Sequence, residues 1–145
     1  MPGPKFMNAA PTFLVDDVGA TAEWYGKQLG FTASFFPGRP PYVFASLMRD
    51  QIEIMLLRLE GYQKPVVVRP AGNWDAYIRM EGVREFYDTV RQTTPIKMEL
   101  KKQSYGNWEF EVVDPTDTCW CLANERNTTV EGRSRPAASR SEFIA

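Results

Sequence analysis

Between Tyr105 and Glu125 the chain reads YGNWEFEVVDPTDTCWCLANE. Trp108, Phe110 and Val112 alternate with Asn107, Glu109 and Glu111, the two-residue period of a strand with one buried face. Asp114-Pro115-Thr116-Asp117 then supplies turn chemistry: an Asx side chain that bonds the backbone, followed by a proline whose fixed φ suits the second turn position. Trp120 and Leu122 resume the alternation against Cys119 and Cys121. The stretch is therefore a hairpin, and whatever else the chain does must bury its aromatic face. The two cysteines share the other face. Two residues apart on one strand, they point the same way without being cross-strand neighbours, so no disulfide is expected between them.

The rest of the chain supplies the same kinds of element twice. Residues 9–16 form a short apolar run that ends at Asp16-Asp17. Asp17 is an N-cap for a helix over Val18 to Leu29, in which Ala22, Tyr25 and Leu29 recur at spacings of three and four, and Gly30 ends it. Phe31 to Phe36, Tyr42 to Met48 and Gln51 to Leu59 read as strands separated by turn signals, PGRPP and Arg49-Asp50. Glu60 to Asn73 reads as a linker, although Val66-Val67-Val68 suits an edge strand.

The order then starts again. Trp74 to Met80 alternates as a strand, and Val83, Phe86, Tyr87 and Val90 make the stripe of an amphipathic helix. Ile96 to Lys102 is a strand, and the opening hairpin completes the set. Glu85-Phe86-Tyr87 echoes Glu23-Trp24-Tyr25 at an offset of 62 residues. A repeat of this length with matching element order predicts two fused βαβββ units.

Two motifs carry a family resemblance. Asp17 to Phe31 follows D-V-x-x-x-x-E-[WF]-[WY]-x-x-x-L-G-F, and YGNWEFEVVDP follows the W-G-x-x-E-F-x-x-x-D-P ending. Together, over about Asn8 to Glu125, they resemble the glyoxalase/bleomycin-resistance/dioxygenase (vicinal oxygen chelate) superfamily, most closely its metal-free bleomycin-resistance-like branch. The resemblance implies an α+β fold in which two tandem βαβββ modules form a curved mixed β-sheet cup with helices outside. It implies one domain over 1–125, with module one at about 8–59, a linker at 60–73 and module two at about 74–125. Residues 126–145 fall outside it, and their Arg/Ser/Pro composition reads as a polar tail with too little apolar surface to fold by itself.

Metal-dependent members of the superfamily hold their ion with four side chains. Carried onto this sequence, the four positions fall on Ala10, Glu53, Asp75 and Cys121, and only the glutamate is kept. The expectation is therefore no metal and no cofactor, because a set that lacks its first ligand and mixes carboxylate with thiolate selects no ion well.

Composition narrows the function classes. At 145 residues the chain is about one domain long, and 43% apolar residues with no run of ~18 place it among globular chains rather than membrane-spanning ones. It contains no histidine. That removes the usual general base of Ser/Cys hydrolases and the commonest metal ligand. Formal charge is −1; four arginines and two glutamates lie in 126–145, leaving the body at −3, and nothing forms a basic stripe for nucleic acid. The start, MPGPKFMNAAP, has no signal-peptide core. The expected compartment is the cytoplasm.

Period-two alternation predicts the residues that face the cup: Thr12 with Ala10, Met55 with Glu53, Tyr77 with Asp75, and Cys119 with Cys121. With Trp108 from a rim strand, Thr12, Glu53, Met55, Asp75, Tyr77, Trp108, Cys119 and Cys121 form the expected ligand site, and no residue is assigned a catalytic role. Such a surface suits a mostly apolar ligand with a cationic or hydrogen-bonding group. The leading expectation is a metal-independent protein that sequesters an aromatic or cationic small molecule, working as a homodimer that closes exposed sheet edges. The alternatives are a metal-dependent lyase, isomerase or dioxygenase using Glu53 and Asp75, and an interaction module that holds a protein segment in the cup. Each site residue also has a plain structural reading: Glu53 paired with an arginine, Tyr77 as filler, the cysteines as small hydrophobes.

Overall fold

The polar turns and apolar runs resolve into ten elements in a computed structural model that describes residues 3–61, 70 and 72–124. The possible edge strand at 66–68 and the tail at 126–145 lie outside the described residues. Two units divide the chain, residues 1–65 and 66–145. Each carries a βαβββ module, so the fold is α+β with two tandem modules.

In the first unit β1 (Thr12–Val15), α1 (Val18–Leu29), β2 (Thr32–Phe36), β3 (Phe44–Arg49) and β4 (Ile52–Arg58) form one helix on one sheet. The strand order is β1-β4-β3-β2. Only β1 and β4 run parallel, with Thr12 beside Met55 and Leu14 beside Leu57. The first strand is shorter than its sequence run, and Ala10 lies ahead of it; Pro11 still accepts a hydrogen bond from Met55 N at 2.9 Å.

Helix α1 starts where Asp17 Oδ1 accepts from Ala20 N at 2.9 Å. It stops at Gly30, whose φ of 74° is costly for any residue with a Cβ. The guanidinium of Arg49, reaching across from β3, donates from Nη1 to Leu29 O at 2.7 Å and satisfies an orphan carbonyl of the last turn. Val18, Ala22, Tyr25 and Leu29 form the buried stripe. Beneath them Ala45, Leu47, Ile54 and Leu56 are fully buried. Each Leu- or Ile-sized side chain withdrawn this way contributes about 1.5–3 kcal/mol. Tyr25 meets Phe31 edge to face at 5.9 Å, the arrangement that aromatic quadrupoles favour.

The second unit repeats the plan with β5 (Ala76–Met80), α2 (Val83–Val90), β6 (Ile96–Lys102), β7 (Trp108–Val113) and β8 (Cys119–Asn124). Its order, β5-β8-β7-β6, is the same walk through the sheet. Val83, Tyr87 and Val90 face the sheet, where the ring of Tyr87 lies 5.1 Å from that of Phe110. Trp120 and Val112 complete this core. The helices set the repeat at 65 residues, Val18 against Val83, so the Glu-aromatic-Tyr echo at 62 is displaced by nearly one turn. A three-residue slip keeps a side chain near the same helix face, which is why the echo signals the repeat without giving its register.

The β7–β8 hairpin turns as its sequence predicts. Asp114 Oδ1 accepts from Thr116 N at 2.7 Å, Thr116 Oγ1 at 2.6 Å and Thr118 N at 3.0 Å. Asp117 takes the left-handed conformation at φ 65°. Thr118 is buried, so removing the carboxylate strands its backbone N–H away from water. Asp114→Ala is expected to lower stability by about 1–3 kcal/mol in urea unfolding, with an unchanged m-value; a loss within error of zero would show that water replaces the side chain.

Candidate functional site

In both sheets one face packs on the helix, and the candidate site residues divide by which face they take. On β4, Ile54 and Leu56 go to α1, so Glu53, Met55 and Leu57 take the opposite face. Strand pairing brings Thr12 beside Met55, Ser46 beside Met55 and Met48 beside Glu53. Of the expected residues, then, Thr12, Glu53 and Met55 are brought together on one surface of the first unit.

Glu53 is half-buried. Ser46 Oγ donates to its Oε2 at 2.7 Å and Asn8 Nδ2 to its Oε1 at 3.3 Å. Neither donor is a cation, and no arginine pairs with Glu53 among the described residues. The same face leaves apolar side chains in water: Met48, beside Glu53, is 44% exposed, Leu57 39% and Phe36 67%. Thr12, Thr32, Ser34 and Ser46 share this face, so it is a mixed surface with exposed apolar side chains and one carboxylate.

The second unit places Tyr77, Cys119 and Cys121 on one face, with Tyr77 opposite Cys121 in the β5–β8 pairing and Glu111 opposite Cys121 in the β7–β8 pairing. Both thiols are free and buried. Asp75 precedes β5 and is committed to the backbone: its Oδ2 accepts from Cys119 N at 2.8 Å while its own N–H donates to Cys119 O at 2.8 Å. Trp108 does not join this group. Glu109 shares the face of Cys121, so the period of two turns Trp108 to the helix side, where the guanidinium of Arg84 lies 5.1 Å from its ring.

Sequence periodicity missed the two residues that organise this surface. The alternation puts Glu109 and Glu111 opposite the aromatic face of a strand with one buried face and includes neither in the expected site, yet they are 1% and 0% exposed. The reason is that β7 is a central strand, with α2 on one side and a hydrogen-bonded layer on the other. Tyr77 Oη donates to Glu109 Oε2 in a short bond, and Tyr105 Oη donates to Glu109 Oε1 at 2.6 Å. Asn107 Nδ2 donates to Tyr77 Oη at 3.0 Å. Glu111 accepts from Gly72 N at 2.8 Å, faces Lys97 Nζ at 3.4 Å and takes a long contact from Cys119 Sγ at 3.7 Å. Lys97 also donates to Asn73 O at 3.1 Å and to Cys119 Sγ at 3.3 Å. The available signal was the sequence Y-x-x-x-E-x-E beside a C-x-C strand, which sets phenols, carboxylates and thiols at neighbouring register.

Burial and the two carboxylates push the acidic protons of this layer the same way. Burial above all, then Glu109, holds the phenols of Tyr77 and Tyr105 neutral well past the usual tyrosine range. The Cys121 thiol is raised by burial and next by Glu109 and Glu111. Cys119 is raised by burial against the opposing pull of Lys97. Both sulfurs are thus thiols rather than thiolates at neutral pH, poor as nucleophiles and as metal ligands. Among the described residues no three His, Cys, Asp or Glu side chains converge as a metal-ligand group.

With this geometry in hand, the chain can be set beside known structures. Neither a protein-family model nor a curated protein matches the sequence. Solved structures match its fold. A glyoxalase/bleomycin resistance protein/dioxygenase superfamily member from Sphaerobacter thermophilus DSM 20745 is 18% identical at a TM-score of 0.65, covering 83% of this chain and 98% of its own. The bleomycin-binding protein of the bleomycin-producing Streptomyces verticillus, complexed with copper(II)-bleomycin, is 22% identical at a TM-score of 0.63, with coverage of 85% and 99%. TioX from Micromonospora sp. ML1 is 16% identical at a TM-score of 0.65, with coverage of 81% and 98%. The chain therefore has the fold of the glyoxalase/bleomycin resistance/dioxygenase superfamily, and bleomycin-binding proteins are among the structures that share it.

The raised thiol and phenol groups fix a pH dependence. A group whose folded pKa exceeds its unfolded value stabilises fully below the unfolded pKa, and that contribution disappears as pH rises toward the folded one. Stability in urea should hold up to the unfolded cysteine pKa, about 8.5, and fall above it as thiols and then phenols ionise in the unfolded chain. Cys121→Ser should flatten the decline between about pH 8.5 and 10. An unaltered slope in that variant would mean the thiol proton is no better held in the folded chain than in the unfolded one.

Proposed function

We propose that the protein is a metal-independent small-molecule binding protein, like the bleomycin-binding proteins that share its fold, and that it sequesters an aromatic or cationic compound. One observation carries this reading. On the helix-free face of each sheet a carboxylate, Glu53 or Glu109, is held by neutral hydrogen-bond donors, with no cation in ion-pair contact with it among the described residues. Desolvating a carboxylate without a counter-charge costs several kcal/mol in an apolar setting, and neutral donors recover only part of that. A cationic ligand group recovers the rest. Thr12, Met55, Tyr77, Cys119 and Cys121 belong to the same helix-free faces, whereas Asp75, held by Cys119 N, and Trp108, on the helix side, are assigned supporting positions at most. The reading assigns the protein to the cytoplasm, which suits two free thiols.

The same reading makes the protein a homodimer. Phe36, Met48 and Leu57 leave an apolar sheet face in water, and a second copy closes such a face by twofold pairing. Light scattering at micromolar concentration should return twice the chain mass; a monomer would remove the dimer from the proposal while leaving the binding face intact.

The direct test is Glu53→Gln, assayed against a small aromatic cation that raises the melting temperature of the wild-type protein. Loss of one charge-assisted hydrogen bond should weaken binding by about 1–3 kcal/mol, with stability unchanged or higher because the Ser46 hydroxyl can turn to accept from the new NH₂ while Asn8 keeps the amide oxygen as acceptor. Falling stability with unaltered affinity would assign Glu53 to structure and overturn its place in the site.

A further inference from the structure

The two modules repeat one plan, and at one matched place the second leaves open a cleft that the first fills with a ring of its own chain. The geometry points to a second binding site there, between the start of α2 and the end of its sheet, for a small planar aromatic molecule bearing a hydroxyl or carbonyl group. The cleft lies within the second unit on the helix side of the sheet, so it is separate from the faces that carry Glu53 and Glu109. In the first unit Val15 ends β1 opposite Arg58, Val18 opens α1, and Gly19 follows. Tyr42, returning from the connection at 37–43, lays its ring on that of Phe35 at 4.1 Å and 21°. The same ring reaches α1: a Cβ on Gly19 would come within 3.2 Å of it. This end of the core is closed, with Val15 and Val18 both buried.

The matching residues of the second unit leave that end open. Met80 ends β5 opposite Asn124, Val83 opens α2, and Arg84 follows. Leu100, two residues before the Lys102 that pairs with Trp108, takes the helix side as Phe35 does. The connection at 103–107 is shorter and turns tightly, Gly106 N donating to Gln103 O at 2.9 Å. Its one aromatic residue, Tyr105, goes to the opposite face and donates to Glu109, so no ring of the connection returns over the helix side. The result is an open cleft of about 680 Å³, walled by Met80, Val83, Leu100 and Trp108 with Arg84 and Asn124 at its polar positions. That volume is in the range of small-ligand sites.

Planarity is what the walls select. Trp108 is 37% exposed, and its ring already holds a flat group, the Arg84 guanidinium at 5.1 Å. A planar ligand extends that stack, since indole and guanidinium both offer flat faces to an aromatic ring. Met80 and Leu100 add apolar contact, the thioether adapting to the ring edge. Asn124 Oδ1 accepts from Trp108 N at 2.9 Å, which leaves its NH₂ to donate to an oxygen on the ligand. Charge does not choose the ligand. Glu81 and Arg84 line the cleft, Lys102 shares the face of Trp108 as its cross-strand partner, and Glu85 lies beside Gly82, two charges of each sign. The phenol of Tyr42 in the first unit is the natural template for what fits.

The probes are phenol and cyclohexanol, matched in size and hydroxyl and different only in the flat ring, titrated into isotope-labelled full-length protein and followed by NMR at the Trp108 indole N–H. Phenol should shift that signal and saturate with a Kd of about 1–10 mM, the range open to a ligand of so few atoms. Cyclohexanol should bind at least about fivefold more weakly. Arg84→Phe, at an exposed helical position, sends a ring into the cleft from α2 itself and should weaken phenol binding by about tenfold or more. Glu53→Gln should leave phenol binding unchanged, which keeps this site apart from the face that carries Glu53. Equal affinity for the two alcohols would overturn the selection for an aromatic ring. Phenol binding that persists in Arg84→Phe, or shifts that spare Trp108, would overturn the cleft as the site, and so would the lack of any shift at about 20 mM. Loss of phenol binding in Glu53→Gln would place the ring on the other unit and overturn the second site as well.

Discussion

Two carboxylates withdrawn from water on a central strand set the terms for the second unit. Glu109 and Glu111 lie two residues apart on β7, and period two sends both to the side away from α2. Neither charge is tolerable there without donors, so the unit supplies them from across the sequence: Tyr77 from β5, Lys97 from β6, Tyr105 from the loop that leads into β7, and Gly72 N from ahead of β5. The four supports come from four segments. Fixing them together pins β5 and β6, the two edge strands of the sheet, to its centre, and satisfied buried networks of this kind specify one arrangement over its competitors.

The two units show how one topology carries two chemistries. Strand order, helix placement and the single parallel pair are the same in both. On the face away from the helix, the first unit has Met48, Leu57 and Phe36 in water around a half-buried Glu53, whereas the second has a closed layer of phenols, thiols, carboxylates and one lysine. An open apolar face with one charge is arranged to be covered. A layer in which two buried carboxylates each hold several donors is arranged to keep one fixed pattern. Both properties suit a protein that binds by a preformed surface, and neither calls for an activated nucleophile, since burial keeps both thiols protonated.

The sequence by itself determined the elements and their faces. Twofold alternation along Ile52–Arg58 and Trp108–Val113 and the three-four spacing of Val18, Ala22, Tyr25 and Leu29 are local consequences of backbone geometry, so they survive any packing that leaves the elements intact. Asp17, Gly30 and Asp114 act within a few residues of themselves, and the same holds for them. Element order repeated twice was enough to indicate the fold. What only the tertiary structure decided is what lies across from each face. Alternation separated Glu109 from Phe110 but could not say that the far side of β7 is covered, because its cover comes from Tyr77, 32 residues away, and from strands whose neighbours are set by sheet order. It likewise gave Glu53 a face without giving it Ser46 and Asn8, and it gave Asp75 a face without giving it Cys119 N. Direction is a property of a residue and its neighbours in the chain; a partner is a property of two segments and the register between them, and the register is fixed only when the whole sheet closes.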